Sequence, residues 1–269
     1  GGGGVPYCGT IGLLLPYGRR IFNVAIRTIQ LYKGQAIYGV GGGITWDSTW
    51  ESEYREVHQK AAVLYRKQAR FQLITTGKIS QKCLLFENQH IERLRKASRY
   101  FAFPFDLEDL KQKIEEECQA CDANQDYRLR ISLSKSGKIE LSRQVLEPLS
   151  LSFCQAKLCL QEANLQQAFT YFKTTHRPHL SLGEQEKIYH NKSGELLETS
   201  IGNLVLKISG KLYTPPIRLG ILPGIYRQYL LETGQVEEQV LTLADLAQAE
   251  VIYGCNAVRG LYELIIQEN

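Results

Sequence analysis

The chain has 269 residues, of which 43% are hydrophobic, 22% are charged and 10% are aromatic. This composition excludes a disordered tail, a collagen-like fibre and a small disulfide-stapled domain, and the length allows one large domain or two ordinary ones. The 32 basic and 28 acidic side chains are interspersed and leave a formal charge of +4, which disfavours a nucleic-acid-binding protein.

The first part of the chain is predicted to form strands separated by glycine-rich turns, followed by one helix. Apolar Phe22, Val24 and Ile26 occupy alternate positions, which is typical of a strand with one buried face. Predicted strands cover residues 11–15, 22–29 and 36–40, and a helix covers residues 51–66 with Ser48 or Thr49 as its N-cap. The polar stretch 65–70 indicates a domain boundary, so we divide the chain into residues 1–66 and 67–269.

A new alternation of strands and helices begins after this boundary. Strands over residues 71–76 and 79–86 are separated by a predicted turn at Gly77-Lys78. Helices follow over residues 90–100 and 107–120, the second with Asp106 as its N-cap. Further strands are predicted over residues 127–133, 138–141, 150–161, 203–208, 211–213 and 251–253, with a hairpin-like turn at 188–195 and helices at 224–232 and 243–248. The pattern predicts a mixed α+β chain in two parts.

Targeting signals and cysteine usage indicate the compartment in which the protein is expected. No run of about 18 apolar residues and no signal-peptide layout occurs, so we expect a cytoplasmic protein without a membrane partner. Seven cysteines without framework spacing predict reduced thiols. The sequence contains no methionine and begins with four glycines before strand-like sequence, which favours a piece of a longer protein.

Several local patterns have both a functional and a structural interpretation. Cys118 and Cys121 form a lone CxxC pair, which cannot complete a tetrahedral zinc site and is interpreted as structural. The glycine run 39–43 is neither a Walker loop nor a dinucleotide fingerprint, but a turn that lets a ligand approach the backbone stays open. Glu53, Glu56 and Lys60 share one helix face, which suits either Mg²⁺ or a solvated surface.

Two further patterns bear on cofactor chemistry. Lys173 follows apolar and aromatic residues, so it is either a Schiff-base nucleophile or a lysine at a strand edge. The turn 222–225 precedes a predicted helix and could offer free backbone N–H groups to a phosphate, although most Pro-Gly turns bind nothing.

Residues 5–63 resemble the C-terminal portion of the chorismate-binding domain of aminodeoxychorismate synthase component I, a relative of anthranilate synthase. Four motifs that occur in the same order carry the resemblance, at residues 7–12, 22–28, 39–48 and 53–61. The resemblance implies that Glu53 and Glu56 help to hold Mg²⁺ in the complete domain. It also implies chorismate contacts from Tyr7, Arg27, Gly41, Gly42, Gly43 and Lys60.

Residues 70–269 resemble 4-amino-4-deoxychorismate lyase, a member of the fold-type IV pyridoxal-phosphate group that includes D-amino acid aminotransferase. The motifs lie at residues 90–98, 100–106, 172–177, 198–204, 214–216, 220–225 and 255–260. The implied architecture is a two-subdomain fold-type IV fold of the α+β class, preceded by a partial α/β chorismate-binding fragment. The two families also occur fused in this order.

The resemblance implies a role for each matching residue. Lys173 corresponds to the lysine that attaches pyridoxal 5'-phosphate covalently and acts as the catalytic base, and Glu198 corresponds to the carboxylate that faces the pyridine nitrogen. Arg93, Gly224, Ile225 and Asn256 correspond to the residues that bind the cofactor phosphate. Tyr226 departs from the family, where a threonine hydroxyl commonly contacts the phosphate.

The resemblance therefore predicts elimination of pyruvate from 4-amino-4-deoxychorismate to give p-aminobenzoate for folate biosynthesis. In the full-length protein it also predicts amination of chorismate by synthase component I, with a glutamine amidotransferase subunit as a candidate partner. A homodimer is expected. An amino acid aminotransferase on the same fold and a catalytically inactive remnant are the alternatives.

Overall fold

The computed structural model of the chain describes residues 10–24, 28–65, 70–161, 168–181, 183 and 185–267. The chain divides into two compact units, Gly1–Ala69 and Arg70–Asn269. Among the described helices, none is long and apolar enough to cross a membrane.

The first unit contains two antiparallel hairpins and a helix. Strand β1 (Thr10–Leu14) pairs with β2 (Arg20–Val24), and β3 (Ile29–Tyr32) pairs with β4 (Gln35–Tyr38). Residues 25–27 of the strand predicted over 22–29 lie outside the described residues. Helix α1 (Trp50–Tyr65) is capped by Thr49, whose Oγ1 accepts a hydrogen bond from Ser52 N at 3.3 Å.

The second unit begins with a small antiparallel sheet covered by two helices. Its described elements are β5 (Leu73–Ser80), β6 (Cys83–Leu84), α2 (Glu87–Phe101), α3 (Leu107–Gln119), β7 (Tyr127–Leu133) and β8 (Ile139–Val145). The spatial order of the strands is β6-β5-β7-β8, with α2 against β5 and α3 against β8. As predicted, Asp106 caps α3, because its carboxylate accepts hydrogen bonds from Glu108 N and Asp109 N.

The predicted turn at Gly77-Lys78 is wrong. Strand β5 runs through Gly77 without interruption, and the chain turns at Gln81-Lys82 instead. A Cβ atom on Gly77 would lie 2.5 Å from His90 Nε2, so only glycine lets α2 approach the strand this closely.

The rest of the second unit is a larger sheet that closes on itself. Its described elements are α4 (Leu151–Cys154), β9 (Gln155–Leu160), α5 (Ala168–Tyr171), β10 (Lys187–His190), β11 (Leu196–Thr199), β12 (Asn203–Ile208), β13 (Lys211–Thr214), α6 (Ile225–Glu232), β14 (Glu237–Glu238), α7 (Leu243–Gln248), β15 (Val251–Asn256) and β16 (Gly260–Ile266). The strand order is β11-β10-β9-β16-β15-β12-β13-β14, and β11 also pairs with β12. That extra pairing closes the first six of these strands into a barrel.

The larger sheet differs from the sequence expectation at several strands. The strand predicted over 150–161 begins as the helical turn α4, because the Ser150 hydroxyl accepts a hydrogen bond from Phe153 N at 3.2 Å. Strands β10, β11, β14 and β16 were not predicted; of the hairpin-like turn expected over 188–195, residues up to His190 belong to β10, and β15 extends to Asn256. Strand β11 is four residues long and fully buried, so it lacks the alternation that marks a half-exposed strand, and β16 pairs locally with β15 across the short turn at 257–259.

Candidate active site

A cavity of about 570 Å³ lies between the small sheet and the barrel. Strands β5 and β7 and helix α2 line one side, and the turns at the ends of β11 and β15 and the start of α6 line the other. The lining includes every predicted cofactor residue of the second unit, namely Arg93, Lys173, Glu198, Gly224, Ile225 and Asn256. The structure therefore brings together residues that are up to 163 positions apart in the sequence.

Main-chain hydrogen bonds hold the Lys173 segment against the start of β5. Ile74 N donates to Lys173 O at 2.9 Å, and Thr175 N donates to Gln72 O at 2.9 Å. Burial, then the charges of Arg93 and three further arginines, lower the pKa of Lys173 well below its ordinary value of 10.5. The neutral amine that this favours is the form that acts as a nucleophile or a base.

Glu198 lies at the end of β11 and is 1% exposed. Its Oε2 accepts a hydrogen bond from Leu222 N at 3.3 Å, whereas its buried Oε1 has no hydrogen-bond partner among the described residues. Burial raises the pKa of Glu198 to about 7, although the nearby Arg177 charge opposes this rise. A buried carboxylate with an unused oxygen fits a protonated ring nitrogen, which the pyridine ring of pyridoxal 5'-phosphate would present.

The other end of the cavity fits a phosphate. Arg93 Nη2 donates to Pro223 O at 2.6 Å, which holds the guanidinium beside the start of α6. The first backbone N–H groups of that helix lack partners within the helix and favour an anion. A Cβ atom on Gly224 would lie 1.9 Å from Asn203 Oδ1, so the turn requires glycine at this position.

Asn256 uses its side chain to hold the turn between β15 and β16. Its Oδ1 accepts hydrogen bonds from Val258 N and Arg259 N, both at 2.9 Å. Asn256 and Arg259 both line the cavity. The asparagine amide thus fixes the backbone that carries Arg259, in addition to the predicted contact with phosphate.

Tyr226 takes no place in the cavity lining that the structure describes. Its ring lies 6.1 Å from the ring of Phe86 and 5.6 Å from that of Tyr229, between centroids. Its hydroxyl faces Gly260, where a Cβ atom would lie 3.3 Å away. The phenol therefore packs in an aromatic cluster and does not take over the role of the family's threonine hydroxyl.

The sequence analysis missed four arginines that line the cavity, namely Arg128, Arg130, Arg177 and Arg259. Two of them alternate along β7 with Leu129 and Ile131, which are buried in the core. This alternation was visible in the sequence. However, it is also typical of a strand with one face in water, so it could not place these arginines at a cavity.

The first unit brings its described candidates together in a smaller arrangement. Lys60 Nζ donates to Gly41 O at 2.9 Å and forms an ion pair with Glu56. A Cβ atom on Gly42 would lie 2.8 Å from Glu53 Oε2. Tyr7 and Arg27 lie outside the described residues, and within the described part of the chain no three His, Cys, Asp or Glu side chains group as metal ligands.

Comparison with known proteins separates the same two regions. The sequence model of the family "Amino-transferase class IV" matches residues 72–264, and that of "chorismate binding enzyme" matches residues 5–66. Aminodeoxychorismate lyase of Saccharomyces cerevisiae is 27% identical over an alignment of 251 residues, which covers 68% of this chain and 67% of the relative.

Two further relatives extend the comparison. Aminodeoxychorismate synthase component 1 of Streptomyces lividans is 40% identical over 60 residues, or 22% of this chain, and the chain spans 13% of that relative. A solved structure from Mesorhizobium loti, described as a candidate amino-acid aminotransferase, matches with a TM-score of 0.64 at 26% identity. That match covers 73% of this chain and 100% of the other.

Proposed function

The chain belongs to the amino-transferase class IV family, and on that premise we propose that residues 70–269 form a lyase acting on 4-amino-4-deoxychorismate. The proposed products are pyruvate and p-aminobenzoate. Enzymes of this fold type use pyridoxal 5'-phosphate, and the yeast relative named aminodeoxychorismate lyase supports the choice of substrate.

One observation carries the proposal: a single cavity contains an amine and a carboxyl group whose pKa values are shifted in opposite directions. The pKa of Lys173 is lowered and that of Glu198 is raised to about 7. Both shifts have burial as their largest cause, and both residues line the same cavity. Oppositely shifted groups in one cavity are typical of acid–base active sites.

Each residue of the cavity is assigned a separate role. Pyridoxal 5'-phosphate supplies an electron sink when it is bound. Arg93 and the first N–H groups of α6 would hold its phosphate, and Glu198 would face its ring nitrogen.

Lys173 Nζ would accept the proton from the ring carbon that bears the substrate's amino group. The C–O bond to the enolpyruvyl group on the neighbouring carbon then breaks and an aromatic ring forms. The released enolpyruvate takes up a proton to become pyruvate, so atoms and electrons balance.

The presence of the first unit in the same chain supports the same substrate class. A chorismate-binding fragment in the same chain suits an enzyme that acts on a derivative of chorismate. We infer that amination of chorismate, its Mg²⁺ and a glutamine amidotransferase partner belong to a more complete synthase domain than the one in residues 5–66.

Reconstitution of the chain with pyridoxal 5'-phosphate tests the proposal directly. We expect a visible absorbance band that borohydride removes, and release of pyruvate from 4-amino-4-deoxychorismate without any keto-acid acceptor. Pyruvate can be followed with a coupled dehydrogenase, with cofactor-free protein as the control. A holoenzyme that forms the band but releases no pyruvate would contradict the lyase.

An aminotransferase is the second candidate, favoured by the similarity to the Mesorhizobium loti protein. It would use the same Lys173 and Glu198 but return the proton to a cofactor carbon. Transfer of an amino group to a keto acid, without release of pyruvate from aminodeoxychorismate, would identify it.

A further inference from the structure

We propose that Phe86, Tyr226 and Tyr229 form an aromatic clamp that positions Arg93 and the start of α6 on one phosphate group, and so sets the preference of the cavity for a phosphorylated ligand. The inference rests on the part of the proposed function that assigns pyridoxal 5'-phosphate to this cavity. It does not depend on the choice between a lyase and an aminotransferase.

The three rings connect the small-sheet part of the second unit to the barrel part. Phe86 directly precedes α2, whereas Tyr226 and Tyr229 lie three positions apart on α6 and therefore share a face of that helix. The centroid of the Phe86 ring is 6.1 Å from that of Tyr226 and 5.5 Å from that of Tyr229. Aromatic rings at these separations attract one another in addition to burying apolar surface. The clamp therefore holds the start of α2 against α6.

The same two helices provide the candidate phosphate contacts. Arg93 lies seven residues after Phe86, which is about two helical turns, so the two residues lie on the same side of α2. Arg93 Nη2 donates to Pro223 O at 2.6 Å, just before α6 begins. A phosphate at this end would need the guanidinium and the helix start at a fixed separation, because hydrogen bonds weaken steeply away from their preferred geometry. The aromatic clamp fixes that separation at the N-terminal end of α2.

Phe86 has a backbone conformation that is unfavourable for its residue type. Its φ of 58° lies in the left-handed region, which glycine adopts freely and a bulky side chain adopts only at a cost. Such a residue persists where the surrounding contacts determine its conformation, and residues of this kind cluster at ligand sites. The two tyrosine rings of the clamp supply these contacts.

Tyr226 contributes to the clamp through its ring. Its side chain is not part of the described cavity lining, and burial raises its pKa, with Tyr229 and Cys255 adding to the rise. The hydroxyl lies beside Gly260, where a Cβ atom would be 3.3 Å away. Gly260 directly follows Arg259, which lines the cavity. The ring is thus packed between α2, α6 and the turn that joins β15 to β16, which are the elements around the candidate phosphate position.

Binding of pyridoxal 5'-phosphate and of pyridoxal to the cofactor-free full chain tests the clamp without turnover. The two ligands share the aldehyde and the ring nitrogen, so contacts from Lys173 and Glu198 would contribute to both affinities. The ratio of the two affinities therefore reports the phosphate contacts, and comparison between variants cancels the properties of the free ligands. Titration followed by the visible band should show that the unmodified chain prefers the phosphorylated ligand by about 100-fold or more.

Removal of a clamp ring should reduce this ratio selectively. Phe86→Gly and Tyr226→Ala should each lower the preference by about tenfold or more, with the affinity for pyridoxal within about twofold of the parent. Glycine adopts the left-handed conformation freely, so Phe86→Gly removes the ring without straining the backbone. Tyr226→Phe keeps the ring and should retain the preference. The matched control is Tyr213→Ala, at a partly buried tyrosine of β13 that packs against a different apolar cluster, and it should leave the ratio unchanged.

The outcomes separate this proposal from the lyase. Equal weakening of both ligands in Phe86→Gly and Tyr226→Ala, an unchanged ratio in both, or a preference lost in Tyr226→Phe overturns the clamp even if pyruvate is released normally. A ratio that falls selectively in the two ring-removing variants supports the clamp, and absence of pyruvate release from the unmodified holoenzyme would then overturn the lyase alone. An unmodified chain that forms no visible band with pyridoxal 5'-phosphate overturns both.

Discussion

In residues 10–65, Leu31 and Ile44 are 80% and 84% exposed, whereas residues 70–267 bury extended apolar clusters around Leu73, Leu129 and Leu204. Both regions carry motifs that match a family. In the first unit, however, no side chain that the structure describes is buried.

This contrast shows that some parts of a functional site form from residues close in sequence, whereas other parts require a packed core. A motif such as Glu53 with Gly42 forms locally, since helix and turn are close in sequence. The cavity around Lys173 instead requires the small sheet and the barrel to be held rigidly, and a buried core supplies that rigidity. We therefore expect changes in the second unit to have large effects and comparable changes in the first unit to have small ones.

The largest effect is expected from Lys173→Ala. It would remove both the proposed cofactor attachment and the proposed base, so pyruvate release should fall by ~10³-fold or more. Lys173→Arg should fail as well, because a guanidinium stays protonated. Lys157→Ala, at an exposed position of β9, is the control and should retain full activity. More than a trace of pyruvate release by the alanine variant would refute the assignment.

Glu198→Gln should bind the cofactor but lose most activity, by about 10²-fold. An amide cannot balance a protonated pyridine, whereas Arg93, the proposed phosphate ligand, is unchanged. The band of the bound cofactor and the rate of pyruvate release measure the two effects separately. A glutamine variant that turns over like the parent would show that Glu198 is not the partner of the ring.

The same variant should change how stability depends on pH. Burial raises the pKa of Glu198 from 4.5 to about 7, so folding favours the protonated carboxyl group. The free energy of unfolding of the cofactor-free protein should therefore fall as pH rises from about 4.5 to 7, by on the order of 3 kcal/mol from this group. Glu198→Gln should remove that decline, measured as the difference between the two proteins in urea unfolding.

Truncation of an apolar side chain should lower the free energy of unfolding more in the second unit than in the first. Leu129→Ala, at a residue that is 0% exposed, should lower the free energy of unfolding by about 3 kcal/mol. Ile37→Ala, at a residue that is 44% exposed in β4, should change it by less than about 1 kcal/mol. Calorimetric melting of the full chain measures both, and equal effects would show that the first unit is packed like the second.

Much of the fold followed from the sequence because its signals are local or belong to a known family. The fold-type IV fold of the second part and the chorismate-binding fragment are both confirmed by the family matches. Gly77 misled the analysis, since a glycine required for close packing resembles one required for a turn. Strand β11 was missed because its four buried residues show no alternation of apolar and polar side chains.

The candidate site divides in the same way. Lys173, Glu198 and Arg93 were found through the family motifs, and their assigned roles are still predictions. The sequence could not show that Arg128 and Arg130 line the cavity. An alternating charged strand gives no sign of whether its polar face meets water or a cavity. The packing of Tyr226 against Phe86 likewise depends on a contact 140 residues away in the sequence.

Replacing a glycine with alanine should weaken cofactor binding moderately in the second unit and leave it unchanged in the first. Gly224→Ala places a Cβ atom 1.9 Å from Asn203 Oδ1, which would displace the turn before α6 and weaken cofactor binding by about tenfold or more. Gly43→Ala has open space around its Cβ position and should have no effect. Titration of each cofactor-free variant with pyridoxal 5'-phosphate tests this, and equal affinities would show that the turn does not bind the phosphate.

The smallest effect is expected for chorismate, which should show no saturable, Mg²⁺-dependent binding to residues 1–66. Mg²⁺ needs about six oxygen ligands, and the described carboxylates are already engaged, since Glu56 pairs with Lys60 and Glu53 accepts a hydrogen bond from Ser48 Oγ at 2.8 Å. A rigid pocket also needs a buried core, and none of the side chains that the structure describes in this unit is buried. Calorimetry of chorismate into the full chain, with and without Mg²⁺, measures it. Binding that requires Mg²⁺, disappears in Glu56→Ala and survives in the control Glu51→Ala would contradict the prediction. It would mean that local motifs can form a working site without a buried core.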